Sequence, residues 1–520
     1  MNLMELFVAQ VAIRPQQEAL YVGLGHRGQS LRFAALDLLS QRVARLFHEE
    51  GLVTGDGVLV LLPLSLELYA TLLAIFRLGL VAIVIDPGAN RATIAQCVER
   101  YPIKGFVGTA KAHLWRQLHP SLRAIPHGWN PRNWVAGLQA EPYAELLDVS
   151  DDHPALITFT SGSTGVPKAA VRSHGFLVAQ QRVLASSLDL QAETVDLTTL
   201  PIFGLANLAA GVTCVLAPYR RGGPGSCDVA GTADLLQYYR PARITGSPAL
   251  LEVLMDHARD RKESLAFLRR VDVGGGPVFP LTIARLHQAA PEARINVIYG
   301  STEAEPMTHI AHGDITEDDI EAMREGAGLL VGSPVPEVTL RIIPDSWGTP
   351  LGPFTGAQFD ALVLPSKQIG EIVVSGPHVL GGYLDGVGDA ENKFKVDGVP
   401  WHRTGDAGVI DAMGRLWLQG RCSAKIVDDL GTIYPLGAEA AAMSHPAVRR
   451  AALIGRRSKR YLIVELHRGH STAELSRISQ QIGNPAHIEM GYTVRRMPMD
   501  RRHGAKIDYP ALRKLLRWFR

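Results

Sequence analysis

The sequence predicts an α/β protein of more than one domain, and three observations carry that reading. At 520 residues the chain exceeds what one ordinary core covers. Apolar residues make up 46% and charged residues 20%, a balance found in folded globular proteins. Short β-type apolar runs alternate with helix-period stretches over most of the length, as they do in parallel α/β layers. The expected architecture is a large N-terminal domain, residues 1–420, built of two α/β sheet subdomains plus a small β-rich subdomain. A small, mobile α+β C-terminal domain, residues 421–520, follows.

Taken in order, the chain to about Asn130 reads as strands alternating with helices. Within it, Gly57 to Asp86 is apolar enough to resemble a membrane span, but Pro63 and Arg77 interrupt it. It parses better as a strand (Val58 to Leu62), a helix (Ser65 to Leu78, with Ser65 as N-cap) and a strand (Val81 to Ile85), a buried βαβ unit. From Ser150 the alternation repeats, with strands near Leu156, Val195, Val212, Ile244, Val271 and Ile295. Helices are expected at His174 to Ser186, Pro248 to Arg259 and Pro280 to Ala289. This predicts a second sheet with ligand loops at the carboxyl ends of its strands. After about Val335 short strands broken by Gly and Pro suggest the β-rich subdomain. The last unit mixes strands (Ala451 to Ile454, Leu462 to Leu466) with helices (Thr472 to Ile482, Tyr509 to Arg520).

The net charge of +2 is small, and no basic run interleaves with aromatics, so no nucleic-acid partner is expected. Cys97, Cys214, Cys227 and Cys422 fall in no metal-ligand spacing, and the start MNLMELFVAQ lacks a signal-type pattern. The expected setting is cytoplasmic and reducing. The tail RKLLRWFR mixes Leu515, Leu516, Trp518 and Phe519 with basic residues, which allows peripheral membrane contact at most; a capping helix is the plainer account.

The stretch ITFTSGSTGVPKAAV, from Ile157 to Val171, concentrates the candidate chemistry. An apolar strand breaks into Ser, Gly and Thr. Gly162 and Gly165 free the backbone to turn its N–H groups into one concavity, and Ser161, Ser163 and Thr164 add hydroxyls. Lys168 follows Pro167, within reach of a phosphate. The loop is not a Walker A motif, because no Gly-Lys-Ser/Thr follows its glycines. A flexible linker is the competing account, opposed by the apolar segments on both sides.

TSGSTGVPK resembles the phosphate-loop signature of the adenylate-forming superfamily, which comprises acyl-CoA synthetases, peptide-synthetase adenylation domains and luciferases. YGSTEA from Tyr299, HRTGDAG from His402, GR at Gly420 and a late lysine, Lys506, extend the resemblance over most of the chain. It implies ATP and Mg2+ as cofactors and a small carboxylic acid as substrate. Thr160, Ser161, Gly162, Ser163, Thr164, Gly165 and Lys168 would bind the phosphates. Tyr299, with Gly300 and Ser301 beside it, would stack on adenine. Thr302 would touch phosphate and Glu303 would hold the metal, a hard oxygen ligand suited to magnesium. Gly275, Gly276 and Pro277 would border the adenine and acyl pockets, and Asp406 with Arg421 would bind the ribose. Lys506 would join Glu303 and Thr302 as catalytic, because a carboxylate attacking a negatively charged α-phosphate needs positioned cations.

Four features depart from the acyl-CoA synthetase pattern. Gly204 follows Phe203 where a histidine is usual, Ser423 occupies the hinge position, Leu430 aligns with a glycine of the thiol tunnel, and RHGA precedes Lys506. With YGSTEAEP, EGAGLLVGSPVP and DRRHGAKID, these look closer to the olefin β-lactone synthetases. The resemblance therefore implies activation of a fatty or other hydrophobic acid to acyl-adenylate. Two second steps stay open: transfer to coenzyme A, or closure of a 3-hydroxy acid to a β-lactone. A non-catalytic nucleotide-binding or scaffold protein is the alternative from another class, and the retained Lys168, Glu303, Asp406 and Lys506 weigh against it.

Overall fold

The computed structural model describes the chain apart from residues 26–27, 86–88, 161–166, 220–226, 468, 471–485, 500–505 and 516–520. It divides into two compact units. One comprises Met1–Thr245, Thr302–Glu305 and Pro377–Asp389; the other comprises Gly246–Ser301, Pro306–Gly376 and Ala390–Arg520.

The first unit carries β1 (Glu18–Val22), β2 (Gln29–Arg32), β3 (Gly57–Leu61), β4 (Val81–Val84), β5 (Ile103–Gly108), β6 (His127–Trp129), β7 (Pro154–Thr160), β8 (Lys168–Ser173), β9 (Val195–Thr198), β10 (Thr213–Leu216) and β11 (Arg243–Gly246). They form two sheets, ordered β6-β5-β3-β4-β7-β8 and β2-β1-β10-β9-β11. Pairing is parallel except for β1 with β2 and β7 with β8. The suspicious apolar run resolves as expected: Ser65 caps the helix Leu66–Arg77 by accepting from the Leu68 N–H, and strands β3 and β4 flank it. Every residue of that helix but Glu67 is buried, so its apolar character serves a core packed on all sides. Its one buried cation, Arg77, pairs with Asp37 and donates to the Ala144 carbonyl at 2.9 Å. Among the described residues no helix is long and apolar enough to cross a membrane.

One expectation is corrected here. The second sheet was expected to begin at the Leu156 strand, yet β7 pairs with β4 in the first sheet (Ala82↔Leu156), while β1 joins β10 in the second (Leu20↔Cys214). Hydrophobic period reports that a strand is buried on both faces; which neighbour it finds is decided by long-range register, which local pattern does not encode.

In the second unit β12 (Arg270–Gly274), β13 (Arg294–Ser301), β14 (Ala304–Ala311), β15 (Leu329–Pro334), β16 (Thr339–Ile343), β17 (Gly370–Ser375), β18 (Lys393–Val396), β19 (Val399–Ile410) and β20 (Leu416–Arg421) follow. Their order is β12-β13-β14-β15-β20-β19-β17-β16, with β18 on β19. The antiparallel texture thus starts at β14, which already pairs antiparallel with β15 (Thr308↔Pro334), well before Val335. A buried ion pair, Arg403 with Glu371 through two hydrogen bonds at 2.9 and 2.6 Å, locks β19 to β17.

The C-terminal part adds the hairpin β21 (Ile426–Asp428) and β22 (Gly431–Ile433) and a sheet of β23 (Val448–Arg456), β24 (Lys459–Leu466) and β25 (Ile488–Thr493). The helix Pro435–Met443 packs its alanines into this sheet's core. It meets the rest of the unit where Gly437 lies against the Gly326 carbonyl, too close for any side chain. Asp345 adds a hydrogen bond from the Tyr434 hydroxyl (2.7 Å) and an ion pair with Lys425 (3.0 Å). The helix expected at Thr472 to Ile482 lies outside the described residues. The last helix is described over Tyr509–Leu515, so Leu516, Trp518 and Phe519 of the tail also lie outside them.

Candidate active site

Ser161, Gly162, Ser163, Thr164 and Gly165 lie outside the described residues. The strands on either side are in place. β7 and β8 pair antiparallel with Thr160↔Lys168 as their last register pair, so the loop joins the ends of two hydrogen-bonded strands. Opening β8, Lys168 is only 7% exposed. Its stem lies on Gly388, where an added Cβ would stand 2.8 Å from its Cδ and Cε, and its ammonium sits 5.8 Å from the centre of the Tyr383 ring. Arg100 donates to the Pro167 carbonyl at 2.7 Å, which fixes the chain just before the lysine.

The YGSTEA segment spans the end of β13 and the turn after it. β13 continues through Gly300 to Ser301, and Thr302 and Glu303 form the two-residue turn into β14. Glycine tolerates extended backbone as well as turns, so Gly300 does not end the strand. The Glu303 carboxylate accepts from the Tyr383 hydroxyl at 2.8 Å, and its backbone carbonyl accepts from the Leu380 N–H at 2.7 Å. The Thr302 carbonyl accepts from Arg172 at 3.0 Å. Next to them, burial pushes the Glu305 carboxyl up to about 6, partly opposed by Arg172. Lys168, Thr302, Glu303 and Tyr383 all belong to the first unit.

A second group belongs to the other unit. The Tyr299 hydroxyl donates to Asp406 Oδ2 at 2.8 Å, and Arg421 donates to Asp406 Oδ1 at 2.8 Å. Asp406 and Arg421 are register partners across β19 and β20, so sheet pairing alone sets them face to face. Burial and the neighbouring Asp406 carboxylate hold the Tyr299 phenol well above its usual range, so it stays a donor. Each carboxylate oxygen has about two acceptor sites, so Asp406 can still accept from a diol. β12 ends at Gly274, whose Cα faces the Ile298 carbonyl too closely for a side chain. Gly275 then takes a left-handed φ of +81° with open space beside it, and Gly276 and Pro277 follow, half-buried.

Lys506 is exposed. Its neighbour Ile507 is bridged to Met499, Asp508 N–H donates to the Pro498 carbonyl at 3.0 Å, and Tyr509 donates to the buried Glu439. Of the departures, Gly204 sits on the helix Pro201–Ala209 where an added Cβ would collide with the Tyr69 hydroxyl, so a fully buried Tyr69 fills that space. Leu430 is 59% exposed at the tip of the β21–β22 hairpin, beside Gly431 with φ +102°. Ser423 is exposed.

Sequence reasoning missed Tyr383, Arg172 and Arg100. An aromatic inside LGGYLDG and a lone arginine in the apolar AAVRS were the available signals for the first two. Arg100 carried none.

Turns at strand ends that offer a buried cation, a fixed carboxylate and a Tyr–Asp–Arg triple suit a protein that handles a nucleoside phosphate. A family model described as AMP-binding enzyme matches residues 7–384, and the chain belongs to that family. It is an AMP-forming ligase that activates a carboxylic acid as its acyl-adenylate. Among its relatives, an olefin beta-lactone synthetase of Stenotrophomonas maltophilia is 32% identical, with 96% of this chain and 93% of that protein covered. An indoleacetate–CoA ligase of Aromatoleum aromaticum is 29% identical over 83% of this chain and 82% of its own length. The solved amide bond synthetase McbA of Marinactinospora thermotolerans, 21% identical, superposes with a TM-score of 0.78 and full coverage of both chains, which shows the shared fold.

Proposed function

We propose that the chain uses ATP and Mg2+ to activate a hydrophobic 3-hydroxy acid and then closes it to a β-lactone. The similarity to the olefin beta-lactone synthetase carries this reading, because it runs through 96% of the chain, against 83% for the indoleacetate–CoA ligase. In the first step the carboxylate attacks the α-phosphorus of ATP, the α–β phosphoanhydride breaks and pyrophosphate leaves. Both partners are anionic, so cations fixed beforehand lower the barrier most. Thr160 to Gly165 and Lys168 bind the phosphates, Thr302 touches them, Tyr299 with Gly300 and Ser301 meets the adenine, and Asp406 with Arg421 takes the ribose. Gly275, Gly276 and Pro277 border the base and the acyl group. Glu303, its carboxylate held by Tyr383, suits Mg2+, which when bound neutralises phosphate charge. Lys506 supplies the second cation.

In the second step the 3-hydroxyl oxygen attacks the acyl carbon, the mixed anhydride C–O bond breaks, AMP departs and the hydroxyl proton passes to solvent. An intramolecular nucleophile needs no second substrate and gains the large advantage of a held geometry. Residues 421–520 act as a mobile domain that changes place between the steps and keeps water from the adenylate. Four free cysteines, three of them buried, support a reducing cytoplasmic setting.

Transfer to coenzyme A is the second reading, favoured by the indoleacetate–CoA ligase relative. Mass analysis after incubation with ATP, Mg2+ and a 3-hydroxy fatty acid, with and without coenzyme A, separates the two. The proposal expects AMP and a product lighter than the acid by one water, formed without coenzyme A. A thioester appearing only with coenzyme A, and no lactone, would establish the other reading.

A further inference from the structure

The segment Pro377–Asp389 is distant in sequence from β8 and from Thr302–Glu305, yet it packs with both. Val379 bridges Ala304, Leu380 N–H donates to the Glu303 carbonyl at 2.7 Å, and Tyr383 bridges Ala170 of β8. Its far end turns back on itself, with the Tyr383 N–H donating to Asp389 at 2.8 Å. Arg100 ties it down, pairing with Asp385 at 3.2 Å while its other arm holds the Pro167 carbonyl. Gly388, with φ +100°, lies directly under the stem of Lys168.

At the centre of this strap, 6% exposed, stands Tyr383. Its hydroxyl reaches Glu303 at 2.8 Å while its ring lies 5.8 Å from the Lys168 ammonium. We propose that Tyr383 is a positioning residue for the adenylation step, its hydroxyl orienting the Glu303 carboxylate and its ring seating the Lys168 ammonium. The inference rests on the roles given above to Glu303 and Lys168. A phenol donating to a carboxylate makes a charge-assisted bond, and a donor to a metal-holding carboxylate fixes which lone pairs face the ion. A cation beside an aromatic ring is attracted by the ring's electron-rich face, which helps hold the ammonium in place. One side chain thereby sets the spacing between a carboxylate and a cation that lie on different turns of the chain.

The test compares the full-length wild type with Tyr383→Phe, which removes only the hydroxyl, and Tyr383→Leu, which removes the ring as well. Three quantities are read: the thermal midpoint without ligand, the Mg2+ concentration that half-saturates ATP binding by calorimetry, and the ATP affinity without Mg2+. Tyr383→Phe is expected to keep the midpoint and the Mg2+-free ATP affinity but to need about 10-fold more Mg2+, the usual effect of losing a partner of a metal ligand. Tyr383→Leu is expected to weaken Mg2+-free ATP binding as well. An unchanged Mg2+ requirement in Tyr383→Phe, with wild type showing a clear one, overturns the inference. If the wild type itself shows no Mg2+-dependent ATP binding, the roles of Glu303 and Lys168 fail first.

Discussion

The hydrogen bonds around Asp406 show how one carboxylate organises its surroundings. It accepts from Tyr299 on one oxygen and Arg421 on the other, both at 2.8 Å, so the ring that would meet adenine and the group that would meet ribose share one anchor. Replacing Asp406 by Ala removes the anchor. The KM for ATP is expected to rise about 10- to 100-fold, the value of one or two hydrogen bonds to a charged group, in a steady-state assay at saturating acid. A change below twofold would remove Asp406 from ATP recognition. These three residues were legible from YGSTEA, HRTGDAG and GR, but their mutual bonds were not, because cross-strand register places Asp406 opposite Arg421. Tyr383 was legible only as an aromatic inside LGGYLDG, not by its partner. Nothing local marks a tyrosine as the partner of a carboxylate eighty positions earlier.

Elements with strong local signals were read well. The helix Pro280–Ala289 matches its expected bounds, since Pro at its first turn and an amphipathic pattern mark it from within. The sheet that β7 joins was misplaced, since sheet membership depends on pairing. The helix Pro435–Met443 shows what a single polar residue can do inside such an element. Glu439 is 4% exposed, accepts from the Leu453 N–H at 3.0 Å and from Tyr509, and burial pushes its carboxyl up to about 7 from an ordinary 4.5. Between those values the folded chain holds more protons than the unfolded one, so stability falls as pH rises from 4.5 to about 7 and levels off above. Urea titrations at several pH values are expected to show this slope in wild type and a shallower one in Glu439→Gln, since Glu305 is raised as well. Parallel pH profiles for the two would contradict the assignment.

Across the whole molecule, composition and alternation announced the α/β class and the β-rich stretch after β15, and the motifs announced the chemistry. Chain order did not reveal that Thr302–Glu305 and Pro377–Asp389 belong with the first unit, because such excursions leave no mark on hydrophobic period. Nor did it reveal the pairing of Gly204 with Tyr69. The missing side chain reads as a gap in the sequence, whereas in the fold Tyr69 occupies that space. The proposed chemistry needs cations on separate parts of the chain to serve a single displacement at phosphorus. Isotope exchange between ATP and pyrophosphate, measured with a 3-hydroxy fatty acid for wild type and Lys506→Ala, probes that need. Wild type should exchange only when both acid and Mg2+ are present. Lys506→Ala should bind ATP normally yet exchange about 100-fold or more slowly, as expected when a group acting mainly in the transition state is lost. Near-wild-type exchange in Lys506→Ala would contradict the account.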